Sequence, residues 1–399
     1  MSQHNLSRRT FTGAALSGSL ARAAAPTDRI GVAIIGTGSR GQYHLRDLEK
    51  LADRVAITAV CDVYRPNREQ AAQRAAKTWG ARPYETADYR EVLARKDVDA
   101  VIIATPDFSH SRILQHAVEA GKDTYCEKPM GTVFAEAKAA YLAVKKSSQV
   151  VQIGTQRRSE GAYVAAAKLV RSGVLGPITR IDVSVNFQEP RWRRDYSQVK
   201  PEDVAWEPFL MHLPRRAFDA RRLRQWQLFD DYTNGIAGLW MSHFSDVVHW
   251  FMEELYPSGA VANGGVFYWK DGRETSDVFH ALLDYPKGFL FSFAMSLTNS
   301  AGNHNLWLGA NGTLDLDAMT ISGAGSRLPD RIKEAMKIEP EKVSSHMEDF
   351  LECVRTRGTP RADIQAGFSH AVAGVMASEA LRLGRRVRFD AQRLELSTY

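Results

Sequence analysis

Cysteine is scarce in this chain of 399 residues: Cys61, Cys126 and Cys353 stand far apart and form no C-x-x-C pair. An odd, scattered set argues against a disulfide framework, and the three read as small buried hydrophobes. No run of eighteen apolar residues occurs, which excludes a membrane-spanning helix from the mature form. Internal repeats are lacking, low complexity is limited to an alanine-rich N-terminus, and no recognised nucleic-acid module is present, so nucleic acid is not an expected partner. What remains is 44% hydrophobic and 25% charged, the composition of a soluble globular protein long enough for two cores.

The first 25 residues differ from the rest. Ser7, Arg8, Arg9, Thr10 and Phe11 resemble a twin-arginine export signal, and they precede a mild apolar run over 13–20 and the small-residue cleavage pattern Ala21, Arg22, Ala23. Residues 1–25 are therefore read as a signal peptide, and the protein as exported to the periplasm after folding. Removing them takes away three arginines and no acid, so the formal charge falls from +6 to +3. Arginine clusters remain at 191–194 and 215–224, with Trp192 and Trp226 interleaved. Their default reading is solvated loop side chains, with an anionic sugar or a partner subunit as the functional alternative.

From residue 28 the pattern is repeated strand and helix. A β-branched run over 30–35 meets Gly36, Thr37, Gly38, Ser39, Arg40 and Gly41 and then a helical stretch through 51. A strand over 55–60 ends at Cys61 and Asp62; a helix over 68–79, a turn around Tyr84 and a helix over 89–94 follow. A continuous apolar strand over 98–104 ends in Thr105, Pro106 and Asp107, a helix over 111–120 leads to the strand ending at Lys128, and a last helix spans 134–146. This predicts a doubly wound dinucleotide-binding domain over 28–150. Beyond it, strands expected over 178–186, 264–269, 278–285, 289–297 and 306–308, and helix over 345–383 broken near 358–360, predict an α+β domain over 151–390 on a mostly antiparallel open sheet. An exposed face on that sheet is compatible with a homo-oligomer.

The spacing of Gly36, Gly38 and Gly41 suits a tight turn, close approach to a pyrophosphate and helix-on-sheet packing, with Ser39 and Arg40 opening the helix. Asp62, twenty-one residues after Gly41, is placed to accept ribose hydroxyls and favours NAD, while nearby Arg65 and Arg68 keep NADP open. Lys128 precedes Pro129, and a Lys-Pro step adopts the cis form at a cost of only about 0.5–1 kcal/mol, so the proline can aim the amine inward.

Gly36 to Gly41, Asp62, Thr105-Pro106 with His110, Glu127-Lys128-Pro129, the junction at Gln156 and Arg157, and a later histidine-bearing helix together resemble the Gfo/Idh/MocA oxidoreductase family over essentially the whole mature chain. The resemblance implies that Lys128 lies beside the nicotinamide and the substrate hydroxyl. It further implies that His243 is the proton acceptor, four residues after a position where the family carries aspartate and this chain carries Leu239. Metal is not expected, because His243, Asp246 and His249 at three-residue steps drift around a helix. Gln156, Arg157, Tyr163, Trp192, Trp240, Asp246, Arg273 and Asp277, with Asn303, are the candidates for substrate contact. The expected activity is oxidation of a secondary hydroxyl of a small carbohydrate or polyol, with tightly held cofactor recycled in the site. Loss of the aspartate opens a redox-neutral glycoside hydrolase or lyase as the alternative, and a non-catalytic nucleotide or sugar-binding protein is the other.

Overall fold

In the computed structural model, which describes residues 29–398, the first half of the chain alternates strand and helix. β1 (Ile30–Ile35), β2 (Val55–Cys61), β3 (Tyr84–Thr86), β4 (Ala100–Ile103), β5 (Asp123–Cys126) and β6 (Val151–Ile153) form one parallel sheet in the order β3-β2-β1-β4-β5-β6. β1 and β4 are buried along nearly their whole length, which is why unbroken apolar runs rather than alternation mark them. The intervening helices are α1 (Ser39–Glu49), α2 (Arg65–Trp79), α3 (Tyr89–Leu93), α4 (His110–Glu119) and α5 (Phe134–Lys146). Strand order reverses between β1 and β4, so the loops leaving these strands open a crevice at their carboxyl ends.

Three local expectations change. Residues 84–86, expected as a turn, pair with β2 as an edge strand. α2 begins three residues early, since Pro66 in its first turn already has a helix-compatible φ. β6 lies just past the expected boundary at 150 and pairs with β5 in the parallel sheet. The export segment expected over 1–25 lies outside the described residues.

After α6 (Gly161–Arg171) and β7 (Ile178–Asn186), a long excursion carries α7 (Trp206–Leu210), α8 (Ala220–Arg224) and α9 (Ser242–Met252). Then come β8 (Gly259–Gly265), β9 (Val278–Tyr285), β10 (Phe289–Ser296), β11 (His304–Gly309), β12 (Gly312–Asp315), β13 (Thr320–Ser322) and β14 (Met336–Lys337). α10 (His346–Thr356), α11 (Ile364–Leu383), β15 (Val387–Asp390) and β16 (Glu395–Thr398) complete the chain. The ten strands run β14-β13-β12-β11-β7-β10-β9-β8-β15-β16, antiparallel apart from the β7–β10 pair. Alternating burial along β9 and β10 gives this sheet one packed face. The strand expected over 264–269 runs instead over 259–265, and it ends early because the Asp277 carboxylate gathers the N–H groups of Phe267, Tyr268 and Trp269 and turns the chain away.

α11 is buried around most of its circumference, as a helix wedged between two layers must be. It packs on β8 and α9 on one side and on α5 and β6 on the other. Gly367 permits the close approach: a Cβ there would lie 2.6 Å from Ile153 Cγ1. Three residues on, His370 Nε2 accepts the Met130 N–H at 3.1 Å, tying the second half to the turn that follows Lys128.

Candidate active site

The crevice is a cleft of about 520 Å³ whose floor is the loops after β1, β2, β4 and β5. Gly36 has φ +88°, and a Cβ there would lie 2.6 Å from the Ala104 carbonyl carbon; one on Gly41 would lie 2.1 Å from Gly36 O. Gly38 differs, with its nearest neighbour at 3.6 Å. The first and third glycines thus let the fold close, while the second leaves backbone open to a ligand. Ser39 and Arg40 line the cleft at the start of α1, whereas Gly41 faces inward and does not. Asp62 accepts from Thr37 N at 2.7 Å and Tyr64 N at 2.8 Å, and its burial raises its pKa against those bonds. Arg68 is spent on the Asp62 carbonyl and Arg65 on Asp203. A glycine cradle, a half-buried acid at its far end and a cleft of this size fit a dinucleotide.

At the other end the Lys128–Pro129 peptide is cis. Glu127 Oε1 accepts from Arg40 Nε at 2.6 Å and faces His44 Nε2 at 2.9 Å. Burial alone would raise this carboxyl, but His44 and Arg40 outweigh it and hold Glu127 well below the usual carboxylate range. Glu127 is therefore a brace that fixes the β5 exit to α1. Lys128 Nζ donates to Leu239 O at 2.8 Å, inside a five-residue π-helical widening, Ala237–Met241, that precedes α9. Such widenings recur at functional sites because they re-aim a carbonyl or side chain. Burial lowers the Lys128 pKa, against the opposing charges of Asp107 and Glu127. His243, on the first turn of α9, lines the same cleft; burial first, then the Lys128 and Arg157 charges, push its imidazole well below the ordinary value.

Asp107 was not among the expected residues. It lines the cleft, is 3% exposed, and accepts from Thr233 Oγ1 at 2.8 Å. Burial lifts its pKa to about 6, opposed by His110 and Lys128. Its signal was available, a carboxylate directly after Thr105-Pro106, but its partner Thr233 is 126 residues away. His110 also lines the cleft, yet its ring nitrogens lie 2.8 Å from Thr105 O and Pro129 O, so it braces two loops. Thr105 bonds Ser109 at 2.6 Å beside Pro106, whose carbonyl accepts from Ser109 Oγ.

The roof of the cleft comes from the excursion after β7. Phe209, Leu210, Leu223, Leu228, Phe229 and Tyr232 pack with Phe108 of the β4 loop, with Val63 and Tyr64 against them. Backbone bonds from Ala205 N to Val63 O at 2.8 Å and from Phe108 N to Tyr232 O at 3.1 Å fasten roof to floor. Trp192, Trp240 and Gln156 line the cleft, with Trp240 beside His243 at 6.4 Å between ring centroids.

Six substrate candidates fall elsewhere. Arg157 lies over the Phe244 ring and reaches His243 through its carbonyl at 3.4 Å, acting on the site only as a nearby charge. Tyr163 packs on Phe251, outside the cleft. Asp246 pairs with Arg158 at 2.9 Å. Arg273 pairs with Asp271 at 2.9 Å, and Asp277 is consumed by the turn at 267–269. Each buried charge is drawn to the partner that offsets its desolvation. Asn303 ties off Asn186, and His249 faces Tyr285 OH at 2.9 Å, so the three polar groups on α9 point to different partners.

Comparison with known proteins agrees with this architecture. Residues 30–155 match the NAD-binding Rossmann fold of an oxidoreductase family and residues 207–389 match the C-terminal alpha/beta domain of the same family. The scyllo-inositol 2-dehydrogenase (NAD(+)) of Bacillus subtilis (strain 168) is 25% identical over 90% of this chain and 96% of its own length. The inositol 2-dehydrogenase/D-chiro-inositol 3-dehydrogenase of Lactiplantibacillus plantarum is 28% identical over 51% of this chain; the match spans about half of that relative, 53%. The aldose-aldose oxidoreductase of Caulobacter crescentus shares the fold, with TM-score 0.69 at 20% identity over 90% of this chain and 100% of that one. With both halves matched in order, the chain belongs to the Gfo/Idh/MocA family and is an NAD-binding oxidoreductase.

Proposed function

We propose that the protein oxidises a secondary hydroxyl of a carbohydrate or polyol, with NAD as hydride acceptor. The observation that carries this reading is the convergence of Lys128 and His243 on the cleft that begins at Gly38. The similarity to inositol dehydrogenases supports the substrate class. Burial keeps the His243 imidazole neutral near pH 7, the form able to take a proton from the hydroxyl. Lys128, anchored on Leu239 O, has further N–H bonds to offer a substrate oxygen. Asp107 supplies a buried negative charge toward Lys128, a service that Leu239 cannot provide. NAD, when bound, takes up the hydride that leaves the carbon.

Export and retention of the cofactor belong to the same proposal, supported by Arg8 and Arg9 in their signal context and by a roof fastened over the cleft. Fractionation checks the first: the paired Arg→Lys change at 8 and 9 leaves the protein in the cytoplasm. Incubation of the full chain with polyols, aldoses and aryl glycosides, followed by mass spectrometry, checks the activity. A keto product matched by reduced nicotinamide is expected. Aglycone released without net reduction would replace it with the redox-neutral route, although none of the relatives named above is a glycosidase. Binding without any turnover would leave a non-catalytic sugar-binding protein.

A further inference from the structure

The excursion over 187–235 is rich in arginine, and most of these side chains are matched within the fold. Arg191 pairs with Glu189, Arg193 with Asp271, Arg215 with Glu207, and Arg216 and Arg222 with Asp231. Arg221 meets the Gln225 side chain and the Asp271 carbonyl outside the cleft, which leaves Arg194 and Arg224. Both line the cleft, and among the described residues neither makes an ion pair with a carboxylate. Arg224 donates only to the Asp195 carbonyl at 3.3 Å and sits 5.8 Å from the Tyr64 ring centroid. Arg194 is partly buried, and its pKa is lowered by that burial and by the neighbouring charge of Arg224.

Two like charges set side by side on a half-buried cleft wall, neither in an ion pair with a carboxylate, are unfavourable unless a ligand brings negative charge. Their position narrows the choice. Tyr64 is two residues past Asp62, so Arg224 stands at the Asp62 end of the cleft, with Arg194 near enough to feel its charge. A hydroxyl-bearing substrate is needed at the other end.

We propose that Arg194 and Arg224 form an anion clamp that holds the phosphates of the bound dinucleotide from the roof, opposite the glycine loop. The clamp rests on the reading of this cleft as a dinucleotide site. It gives the roof a role beyond shielding. The floor receives phosphate through backbone N–H groups and the roof closes on it with guanidinium charge, which slows cofactor release.

Calorimetric titration of the full chain, stripped of nucleotide, with NAD, ADP and adenosine tests this. Arg194→Gln and Arg224→Gln are each expected to weaken ADP and NAD by about 10-fold, the scale of one lost charge-assisted bond, and to leave adenosine unchanged. Arg194→Lys should recover part of the loss, and the salt dependence of ADP binding should flatten in the double variant. Unchanged ADP affinity overturns the proposal. So does equal weakening of ADP and adenosine, which would mean that the roof was loosened rather than discharged. A third result would also overturn it: ADP affinity is kept while D-glucuronate, but not D-glucose, loses binding to the NAD-loaded variants. The cations would then serve a substrate carboxylate. If the unaltered protein binds neither ADP nor NAD, the dinucleotide reading falls together with the clamp.

Discussion

The two walls of the cleft are built in opposite ways. On the floor, charged groups are tied within the fold: Glu127 to Arg40 and His44, Asp62 to the N–H groups of Thr37 and Tyr64, Lys128 to Leu239 O. The roof is aromatic and holds two arginines that form no carboxylate ion pair among the described residues. A floor set by backbone geometry suits a ligand that never varies, and it is assembled from loops at the ends of neighbouring strands. The roof is assembled from a chain excursion that must pack as a unit before any of its side chains face the cleft.

The sharpest division is at Lys128. Lys128→Met is expected to lower turnover by about 10²–10⁴ while NAD binding persists, measured as kcat beside nucleotide retained on gel filtration. Near-normal turnover would remove Lys128 from proton transfer.

Asp107 tests whether floor and roof are electrically joined. With its pKa lifted to about 6 from about 3.9, the folded protein binds the extra proton between those values. Its contribution to stability is therefore complete below about pH 4 and is lost as pH rises through about 6, a change of roughly 3 kcal/mol. Denaturant titrations from pH 4 to 7 should show unaltered protein losing that much relative to Asp107→Asn. Parallel curves would show that the carboxyl is solvated.

The glycines separate folding from binding within the floor. Gly41→Ala, with a Cβ 2.1 Å from Gly36 O, should lower stability by about 1–3 kcal/mol, read as a shifted denaturation midpoint. Gly38→Ala, with room for its Cβ in the fold, should leave that midpoint in place and weaken NAD by roughly 5–150-fold. A shifted midpoint for Gly38→Ala would mean that this glycine serves the fold. The smallest effect is expected at Asp62: Asp62→Ala should narrow the preference for NAD over NADP by several-fold, compared as the ratio of the two dissociation constants. An unchanged ratio would move selectivity elsewhere.

How far the sequence reaches follows the same division. β1, β2 and α5 stand almost where the residue pattern puts them, and Gly36 and Gly41 pack as a tight turn requires, because each depends on neighbours a few residues away. The single pair of parallel strands in the second sheet, the edge strand at 84–86 and the turn at Asp277 were not legible, since each depends on pairing across distance. Asp246, Arg273 and Asp277 were reasonable as polar residues near a site, yet a buried charge goes where its desolvation is best offset. For these that meant Arg158, Asp271 and three backbone amides.

By itself the sequence determined the α/β plan, the nucleotide loop, the acid at Asp62 and the amine at Lys128, because glycine φ freedom, strand apolarity and the Lys-Pro step act locally in the chain. Only the tertiary structure decided what Lys128 meets. Leu239 O is 111 residues away, and Asp107 reaches the opposite wall through Thr233. It also decided that two arginines of an ordinary-looking basic loop face the cleft with no carboxylate ion pair among the described residues. Long-range packing sets which polar groups lose water and which partners remain to replace it, and that choice is not written in the spacing of residues along the chain.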